Sequence, residues 1–243
     1  MIFGWRRARA ARPQTSRQPP VIALHELKAL YFPIQKVANS SWKLLCADIL
    51  GLTARRGRGP HAIEFPTVSL DDVPRYADYF RFAFVRNPWD RVVSCYVEKI
   101  KADPTYTTAF FTNGVFVGFL DYGLFHAGMS FERFVEAIAE IPDPEANRHF
   151  RSQFTFVTDA AGQLLVNFVG KLERAETDFP TVLRRLGRDP SSVPHLNRSS
   201  HGDYRSFYTP HTVQIVRRRF ERDLELFSYD FADVARDAEP AGR

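Results

Sequence analysis

Two side chains that commonly bind phosphate lie at and beyond the end of an apolar run. Residues 82–96 read FAFVRNPWDRVVSCY, so Arg86 directly follows the run and Ser94 interrupts a second apolar stretch. A guanidinium fork binds phosphate oxygens in two places, and Pro88 favours the first turn of a helix that carries Ser94 towards the same space. The pair indicates a phosphate site. The alternative is that Arg86 pairs with an Asp or Glu to fix a loop, and Arg91 is expected on the other helix face in a surface salt bridge.

A second stretch combines a lysine, small residues and hydroxyls where another strand leads into a helix. It reads LYFPIQKVANSSWK at 30–43, with Lys36, Ser40 and Ser41 as side-chain donors. The backbone N–H groups and the dipole of a helix N-terminus favour an anion there, and the small residues allow close approach. The GxxxxGK[ST] pattern of a P-loop is absent. The alternative is an ordinary Ser N-cap followed by a core helix.

Hydrophobic periodicity predicts the elements that position these side chains. Strands are predicted leading to Pro33 and at 80–85, and two more in FTFVTDAAGQLLVNFVGKLE, joined by a turn at Asp159–Gly162. Helices are predicted at 40–52, 68–80, 89–100, 130–141, 174–187 and 210–226. Residues 102–128, rich in aromatic residues and glycine, receive no assignment.

Strands that each feed a helix predict an α/β fold with three layers, in which helices flank a central parallel sheet as in P-loop proteins. In such sheets ligands bind at the carboxyl ends of the strands, where both stretches lie. We expect one domain over residues 21–236, a basic tail over 1–20 and a short tail over 237–243.

The composition is that of a folded protein with a basic surface. The 243 residues are 44% hydrophobic and carry a net charge of +5, which suits nucleic acid, an anionic membrane or a phosphorylated ligand. No RRM, helix-turn-helix or zinc pattern is present, so nucleic acid is not expected, and a basic nucleic-acid-binding module is the alternative from another class. Cys46 and Cys95 fit neither a disulfide framework nor a zinc site, so we expect core residues and a reducing compartment.

Membrane insertion is not expected, because no apolar run reaches the roughly 18–20 residues that a spanning helix needs. The N-terminus has arginines without a following apolar region, which argues against a secretory signal. Weak contact of this basic tail with a membrane surface is an alternative to plain disorder.

The two stretches resemble known motifs. PIQKVANSSWK resembles the 5′-phosphosulfate-binding loop of sulfotransferases that use 3′-phosphoadenosine 5′-phosphosulfate (PAPS), and FVRNPWDRVVSCY is similar to their 3′-phosphate motif. NRHFRSQ, FVGKLERAETDF, VPHLNRS and YRSFYTP…VRRRFERDLELFSYDF are similar, in the same order, to carbohydrate sulfotransferases of the chondroitin, dermatan and heparan 2-O type and their bacterial relatives. The likeness runs from about residue 22 to 232. Gln35 departs from the commoner pattern, which has Pro before the Lys.

This resemblance implies PAPS as the donor, the bisphosphate PAP as the product and no metal. Arg86 and Ser94 would bind the 3′-phosphate, and Lys36 would bind the 5′-phosphosulfate and stabilise the leaving phosphate. Asn197 and Arg198 would close over the nucleotide. The loop residues expected to contact the donor besides Lys36 are Val37, Ala38, Asn39, Ser40, Ser41 and Trp42. A P-loop kinase, the nearest enzymatic rival, lacks support, because the Walker Lys-Ser/Thr pair and a magnesium-binding Asp are missing.

The base that takes the acceptor proton is expected to be a His or a carboxylate. His61 lies about 25 residues before Arg86 and resembles the catalytic histidine of the heparan 2-O enzymes. His149, in NRHFRSQ, lies in a segment similar to the HW..Q signature of the family, and Glu64 is a further alternative.

The acceptor is expected to be a hydroxyl of a carbohydrate or glycoconjugate, with a non-carbohydrate small molecule or a lipid as the alternative. An anionic glycan would suit a basic rim, for which the candidates are Arg55, Arg56, Arg58, Arg148 and Arg151. Trp89 and the aromatic residues of 106–125 either stack on sugars or pack in the core. Animal members of the group are Golgi enzymes with an N-terminal membrane anchor. None is seen here, so a cytoplasmic, bacterial enzyme is expected.

Overall fold

A mixed five-stranded sheet lies at the centre of the protein, whose computed structural model describes residues 20–53, 62–192 and 201–233. Its strand order is β3-β1-β2-β4-β7, and a separate hairpin is formed by β5 and β6. The strands are β1 (Val21–Leu24), β2 (Ala29–Phe32), β3 (Thr67–Val68), β4 (Phe80–Val85), β5 (Phe111–Thr112), β6 (Val115–Phe116) and β7 (Phe168–Lys171).

Helices flank this sheet and fill the connections between its strands. The α-helices are α1 (Asn39–Ile49), α2 (Pro88–Lys99), α3 (Phe131–Ala139), α4 (Ala175–Arg185), α5 (Pro210–Arg219) and α6 (Glu221–Phe227). Short 3-10 helices cover His25–Leu27, Leu70–Tyr76, Val117–Tyr122, Gln153–Phe156, Leu172–Arg174 and Tyr204–Phe207. Among the described residues no helix is both long and apolar enough to cross a membrane.

The parallel part of the sheet is where the sequence predicted it. Strand β4 pairs in parallel with β2 on one side and with β7 on the other. Strand β1, however, is antiparallel to both β2 and β3, so the expectation of a purely parallel sheet is wrong at this edge. Only residues 25–28 connect β1 to β2, and so short a connection permits an antiparallel hairpin but no parallel crossover. The fold is therefore mixed α/β, and its likeness to P-loop proteins stays a prediction.

One predicted strand is wrong for an identifiable reason, and one predicted helix is divided in two. The first strand of FTFVTDAAGQLLVNFVGKLE is a 3-10 helix over Gln153–Phe156. The backbone N–H groups of Gln153 and Phe154 donate to the buried carboxylate of Asp223, at 2.8 and 2.7 Å, rather than to a neighbouring strand. The helix predicted over 210–226 is divided into α5 and α6 at Phe220.

Aromatic side chains fill the core between α1, α4 and the sheet. The Trp42 indole is fully buried, stacks on Phe84 at 4.7 Å between ring centroids and meets Phe179 edge-on at 5.2 Å. Gly170 in β7 passes so close to Phe84 that a Cβ atom would lie 2.3 Å from the ring, so glycine is required there.

Cys46 and Cys95 are buried and unpaired, as predicted, and burial raises the pKa of Cys46 to about 12.

Candidate functional site

The turn between β2 and α1 has the backbone shape of an anion-binding loop. Lys36 and Ala38 adopt left-handed conformations, with φ of 70° and 46°, on either side of Val37. Alternation of this kind turns successive N–H groups towards one concave space. Helix α1 starts at Asn39 with Ala38 as its N-cap residue and no side-chain capping hydrogen bond. The Ser N-cap alternative is therefore wrong, and the first-turn amides and the positive dipole end face this turn.

The Lys36 side chain carries a charge into this turn. Its side chain is only 6% exposed, and Nζ forms an ion pair with the carboxylate of Glu98, which is 59% exposed. Burial lowers the pKa of Lys36, and Glu98 partly offsets this effect. Lys99 lies 3.9 Å from the same carboxylate. A nearly buried ammonium with a solvated partner on one side is well suited to stabilise a second anion.

Arg86 lies at the carboxyl end of β4 and contacts the Lys36 loop. Its Nη1 donates to the Lys36 carbonyl at 3.3 Å, so the two predicted phosphate stretches meet. Its Nε and Nη2 donate to both oxygens of Asp90, at 2.7 and 2.8 Å. The carboxylate partner that the sequence left open is thus present. The backbone of Arg86 is also fixed, because Gln153 accepts from its N–H at 2.9 Å and donates to its carbonyl at 2.8 Å.

Two further groups border Arg86. Ser94 follows Asp90 by four residues on α2 and is buried, so the two side chains share a helix face. His201 was missed by the sequence analysis, yet its Nε2 lies 3.4 Å from both Arg86 Nη2 and Asp90 Oδ1. Burial lowers the pKa of His201, and Asp90 opposes the shift. The sequence does hold one indication that His201 lies near the site: it directly follows the VPHLNRSS segment, which was predicted to close over a nucleotide.

Arg91 corrects the sequence analysis most clearly. It is not in a surface salt bridge but is buried, with 1% exposure. Its guanidinium donates to three backbone carbonyls. Nε donates to that of Gln35 at 3.0 Å, Nη1 to that of Arg151 at 2.8 Å and Nη2 to that of Arg148 at 3.1 Å. Burial lowers its pKa to about 10. One guanidinium therefore ties the residue before Lys36 to the residue before His149.

His149 lies beside the cationic side chains of the turn. It is buried, meets the Phe116 ring edge-on at 5.0 Å, and its Nδ1 lies 2.7 Å from Asn147 Oδ1. Its pKa is held well below the usual value for a histidine, chiefly by burial and then by the neighbouring cations. Those cations are Lys99, Arg148, Lys36 and Arg91. The imidazole is therefore neutral, with one of its two ring nitrogens unprotonated.

Some other predicted site residues are buried where they cannot act as expected, and others lie outside the described residues. Trp42 is a core residue, and its backbone N–H already donates to Ala38, so we remove it from the expected donor contacts. Trp89 is also buried, with Nε1 donating to Val213, which excludes sugar stacking. Arg151 is buried as well, so it does not form an exposed rim. His61, Asn197, Arg198, Arg55, Arg56 and Arg58 lie outside the described residues.

The described part of the chain also brings three residues that can bind a metal together on the surface. Oxygens of Glu132 and Glu136 on α3 and a ring nitrogen of His211 on α5 lie within 4.8 Å of one another. Glu136 already pairs with Arg133 at 3.0 Å. This exposed cluster has a counter-ion of its own and carries no assigned role.

The carboxylate under the Arg86 loop is predicted to make folding stability depend on pH. Burial raises the pKa of Asp223 to about 6, although two backbone N–H groups oppose the shift. Between the unfolded and folded pKa values the native state binds more protons, so stability falls as pH rises from 4 to 7. We expect this to remove up to about 3 kcal/mol of unfolding free energy. Urea unfolding measures the difference in unfolding free energy between wild type and Asp223→Asn. This difference should become smaller as pH rises over that range, and a constant difference would contradict the raised pKa of Asp223.

Known proteins similar to this chain are sulfotransferases. The model of the sulfotransferase family matches residues 20–230. Carbohydrate sulfotransferase 10 of Xenopus laevis is 23% identical over 231 residues, covering 83% of this chain and 65% of that protein. The Homo sapiens protein of the same name is 22% identical over 233 residues, covering 85% and 65%. Carbohydrate sulfotransferase 14 of Danio rerio is 25% identical over 180 residues, covering 69% and 48%.

The chain spans just under two thirds of the length of the first two of these relatives. No solved structure is significantly similar to it.

Proposed function

Because the chain belongs to the sulfotransferase family, we propose that it transfers the sulfuryl group of PAPS to a hydroxyl of a carbohydrate or glycoconjugate. Family membership, expected from the two motifs, is confirmed by the match over residues 20–230. The names of the relatives, carbohydrate sulfotransferases 10 and 14, support a carbohydrate acceptor. The donor, the acceptor and the roles of individual residues belong to the proposal.

The observation that carries the proposal is the meeting of the two cationic loops. Lys36 follows β2 and Arg86 ends β4, the two strands pair in parallel, and Arg86 Nη1 reaches the Lys36 carbonyl at 3.3 Å. The N-terminus of α1 faces the same turn. PAPS carries anionic groups at both the 3′ and the 5′ position of its ribose, so two adjacent anion sites suit it better than a ligand with a single phosphate.

Sulfuryl transfer is an in-line displacement at sulfur. The acceptor hydroxyl loses a proton, its oxygen bonds to sulfur, and the bond from sulfur to the bridging oxygen breaks with negative charge left on the phosphate. We assign the stabilisation of that charge to Lys36, whose side chain is nearly buried in the turn. His149 and His61 are both retained as candidates for the base, with Glu64 as the further alternative.

An acceptor surface is proposed beside this turn. The Lys99 Nζ lies 4.3 Å from the Phe116 ring centroid, and the Lys101 Nζ lies 5.3 Å from that of Phe111. Phe110, in the same hairpin region, is 67% exposed. Aromatic faces beside cations suit a sugar ring with an acidic group, which supports an anionic carbohydrate acceptor.

Calorimetric titration with PAP, run beside adenosine 5′-phosphosulfate, tests the donor. The second ligand lacks the 3′-phosphate, so micromolar binding of PAP with a large loss for the second ligand is the expected result. ATP with magnesium and a short oligonucleotide serve as controls for the kinase and nucleic-acid alternatives. If PAP does not bind, or if PAP and adenosine 5′-phosphosulfate bind equally well, the basis for a PAPS-dependent enzyme is removed.

Arg86→Ala is expected to weaken PAP binding by about 2–4 kcal/mol, because charge-assisted hydrogen bonds to the 3′-phosphate are lost. Asp90→Asn is the matched variant. It removes a negative charge beside the same site and frees the guanidinium fork, so PAP should bind as tightly as to wild type or more tightly. If neither variant changes PAP affinity, Arg86 only fixes the loop through Asp90.

A further inference from the structure

The orientation of the Asn147 amide is fixed by its neighbour. Its Nδ2 donates to the Gly118 carbonyl at 3.1 Å. A carbonyl oxygen only accepts hydrogen bonds, so the NH2 group must face Gly118 and Oδ1 must face the other way. The backbone N–H of His149, which only donates, lies 3.1 Å from this Oδ1 and requires the same orientation.

This orientation decides which ring nitrogen of His149 carries the proton. Nδ1 lies 2.7 Å from Asn147 Oδ1, a strong hydrogen-bond distance. An amide oxygen has no proton to give, so Nδ1 must be the donor. In a neutral imidazole the other nitrogen, Nε2, then has a free lone pair.

Arg91 holds the segment that carries His149, and the His149 ring packs against the aromatic hairpin. Arg91 donates from Nε to the carbonyl before Lys36 and from Nη2 to the carbonyl before His149, so the two segments lie against one guanidinium. The His149 ring meets Phe116 edge-on, and the Lys99 ammonium lies over the Phe116 ring. Both Lys36 and Lys99 are close enough to act on the His149 ring, so it lies near the proposed donor loop and the proposed acceptor surface.

Resting on the proposed function, we propose that Asn147 is a positioning residue that holds His149 in the Nδ1–H form, so that Nε2 takes the proton of the acceptor hydroxyl. The O–H bond of the acceptor breaks and its proton binds the Nε2 lone pair. The acceptor oxygen forms the new bond to sulfur, and the leaving phosphate keeps the electron pair of the broken S–O bond. The assignment gives the base role to His149 rather than to His61 or Glu64.

Burial of the His149 ring, and after it the charged groups that face the ring, lower its pKa and keep it neutral at the start. Lys36 from the loop after β2, Lys99 and Arg91 from α2, and Arg148 from the same segment are all cations. They oppose protonation of His149, and the negative charges of a bound nucleotide would relieve this opposition. The histidine therefore becomes a better base when the donor is bound.

Nitrogen-15 NMR of the His149 ring tests the tautomer without any reaction. Wild type, free and with PAP, should show a protonated Nδ1 and an unprotonated Nε2. Asn147→Leu removes the acceptor and should populate the Nε2–H form, with at least a tenfold slower transfer and unchanged PAP affinity. Asn147→Asp keeps an acceptor for Nδ1–H and should therefore retain the Nδ1–H tautomer that Asn147→Leu loses, with folding of both variants checked by thermal unfolding. An unprotonated Nδ1 in wild type, or a wild-type rate and tautomer in Asn147→Leu, overturns the proposal.

His149→Gln separates the base role from the tautomer. Its transfer rate should fall about 100-fold, the range expected for losing a general base, while PAP affinity stays the same. Wild-type activity in this variant overturns the base role and returns it to His61 or Glu64. A wild-type protein that keeps the Nδ1–H form but transfers no sulfate from PAPS overturns the proposed function, and the base role with it.

Discussion

Replacing Lys36 by methionine is expected to slow sulfuryl transfer by about 10³-fold, the upper end of what removal of one charge-stabilising donor costs. Methionine has nearly the length of lysine, so the substitution preserves the side-chain packing in the loop and removes only the charge. The ammonium lies 6% exposed in the turn, where water does not replace its effect on the leaving phosphate. Glu98, which is 59% exposed, stays hydrated without its partner, so stability should change little.

Single-turnover rates with saturating PAPS measure this effect apart from binding. Lys28→Met is the matched control, because Lys28 is 68% exposed and pairs with Asp78 on the surface. That variant should keep its rate within twofold. A Lys36→Met protein that loses PAP affinity but transfers at the wild-type rate would show that Lys36 only holds the nucleotide.

The sequence predicted where the two candidate anion loops lie in the fold because their signals are local. FAFV marks a buried strand, Pro88 marks the first turn of a helix, and the structure has β4 ending at Val85 and α2 starting at Pro88. Arg86 and Lys36 both follow the carboxyl ends of parallel strands, so they are expected at the same edge of the sheet. The hydrogen bond of 3.3 Å from Arg86 Nη1 to the Lys36 carbonyl agrees with this expectation. Each step needed only neighbouring residues.

Arg91 could not be placed in the same way. A buried arginine satisfied by three backbone carbonyls has no sequence signature, since every residue has a carbonyl. Its acceptors, on Gln35, Arg148 and Arg151, are about 56 to 60 positions away in the chain. The charge alone suggested a surface position.

The 3-10 helix at Gln153–Phe156 was missed for a related reason. Its residues QFTF have strong strand propensity, but a carboxylate 70 positions later, on Asp223, takes the N–H groups that a sheet would use. The same contact holds Gln153 against the Arg86 backbone. Long-range polar contacts thus override local propensity where the site is built.

Arg91→Met is expected to lower the free energy of unfolding by about 3–5 kcal/mol, because three backbone carbonyls, two of them in buried hydrogen bonds, lose their donor together. The side chain is 1% exposed, so water does not readily replace the guanidinium. Arg91→Lys should fall between this variant and wild type, since one ammonium does not reproduce the planar fork that spans three acceptors. Urea unfolding measures both variants.

Arg133→Met is the control for loss of an arginine, because Arg133 is 75% exposed and should change stability by no more than about 0.5 kcal/mol. Under conditions where Arg91→Met remains folded, PAP affinity and transfer rate should both fall, since the Lys36 loop and the His149 segment lose their common anchor. An Arg91→Met protein within about 1 kcal/mol of wild type would mean that the two segments are held by other contacts. Normal PAP affinity with slow transfer would instead show that Arg91 positions His149 alone.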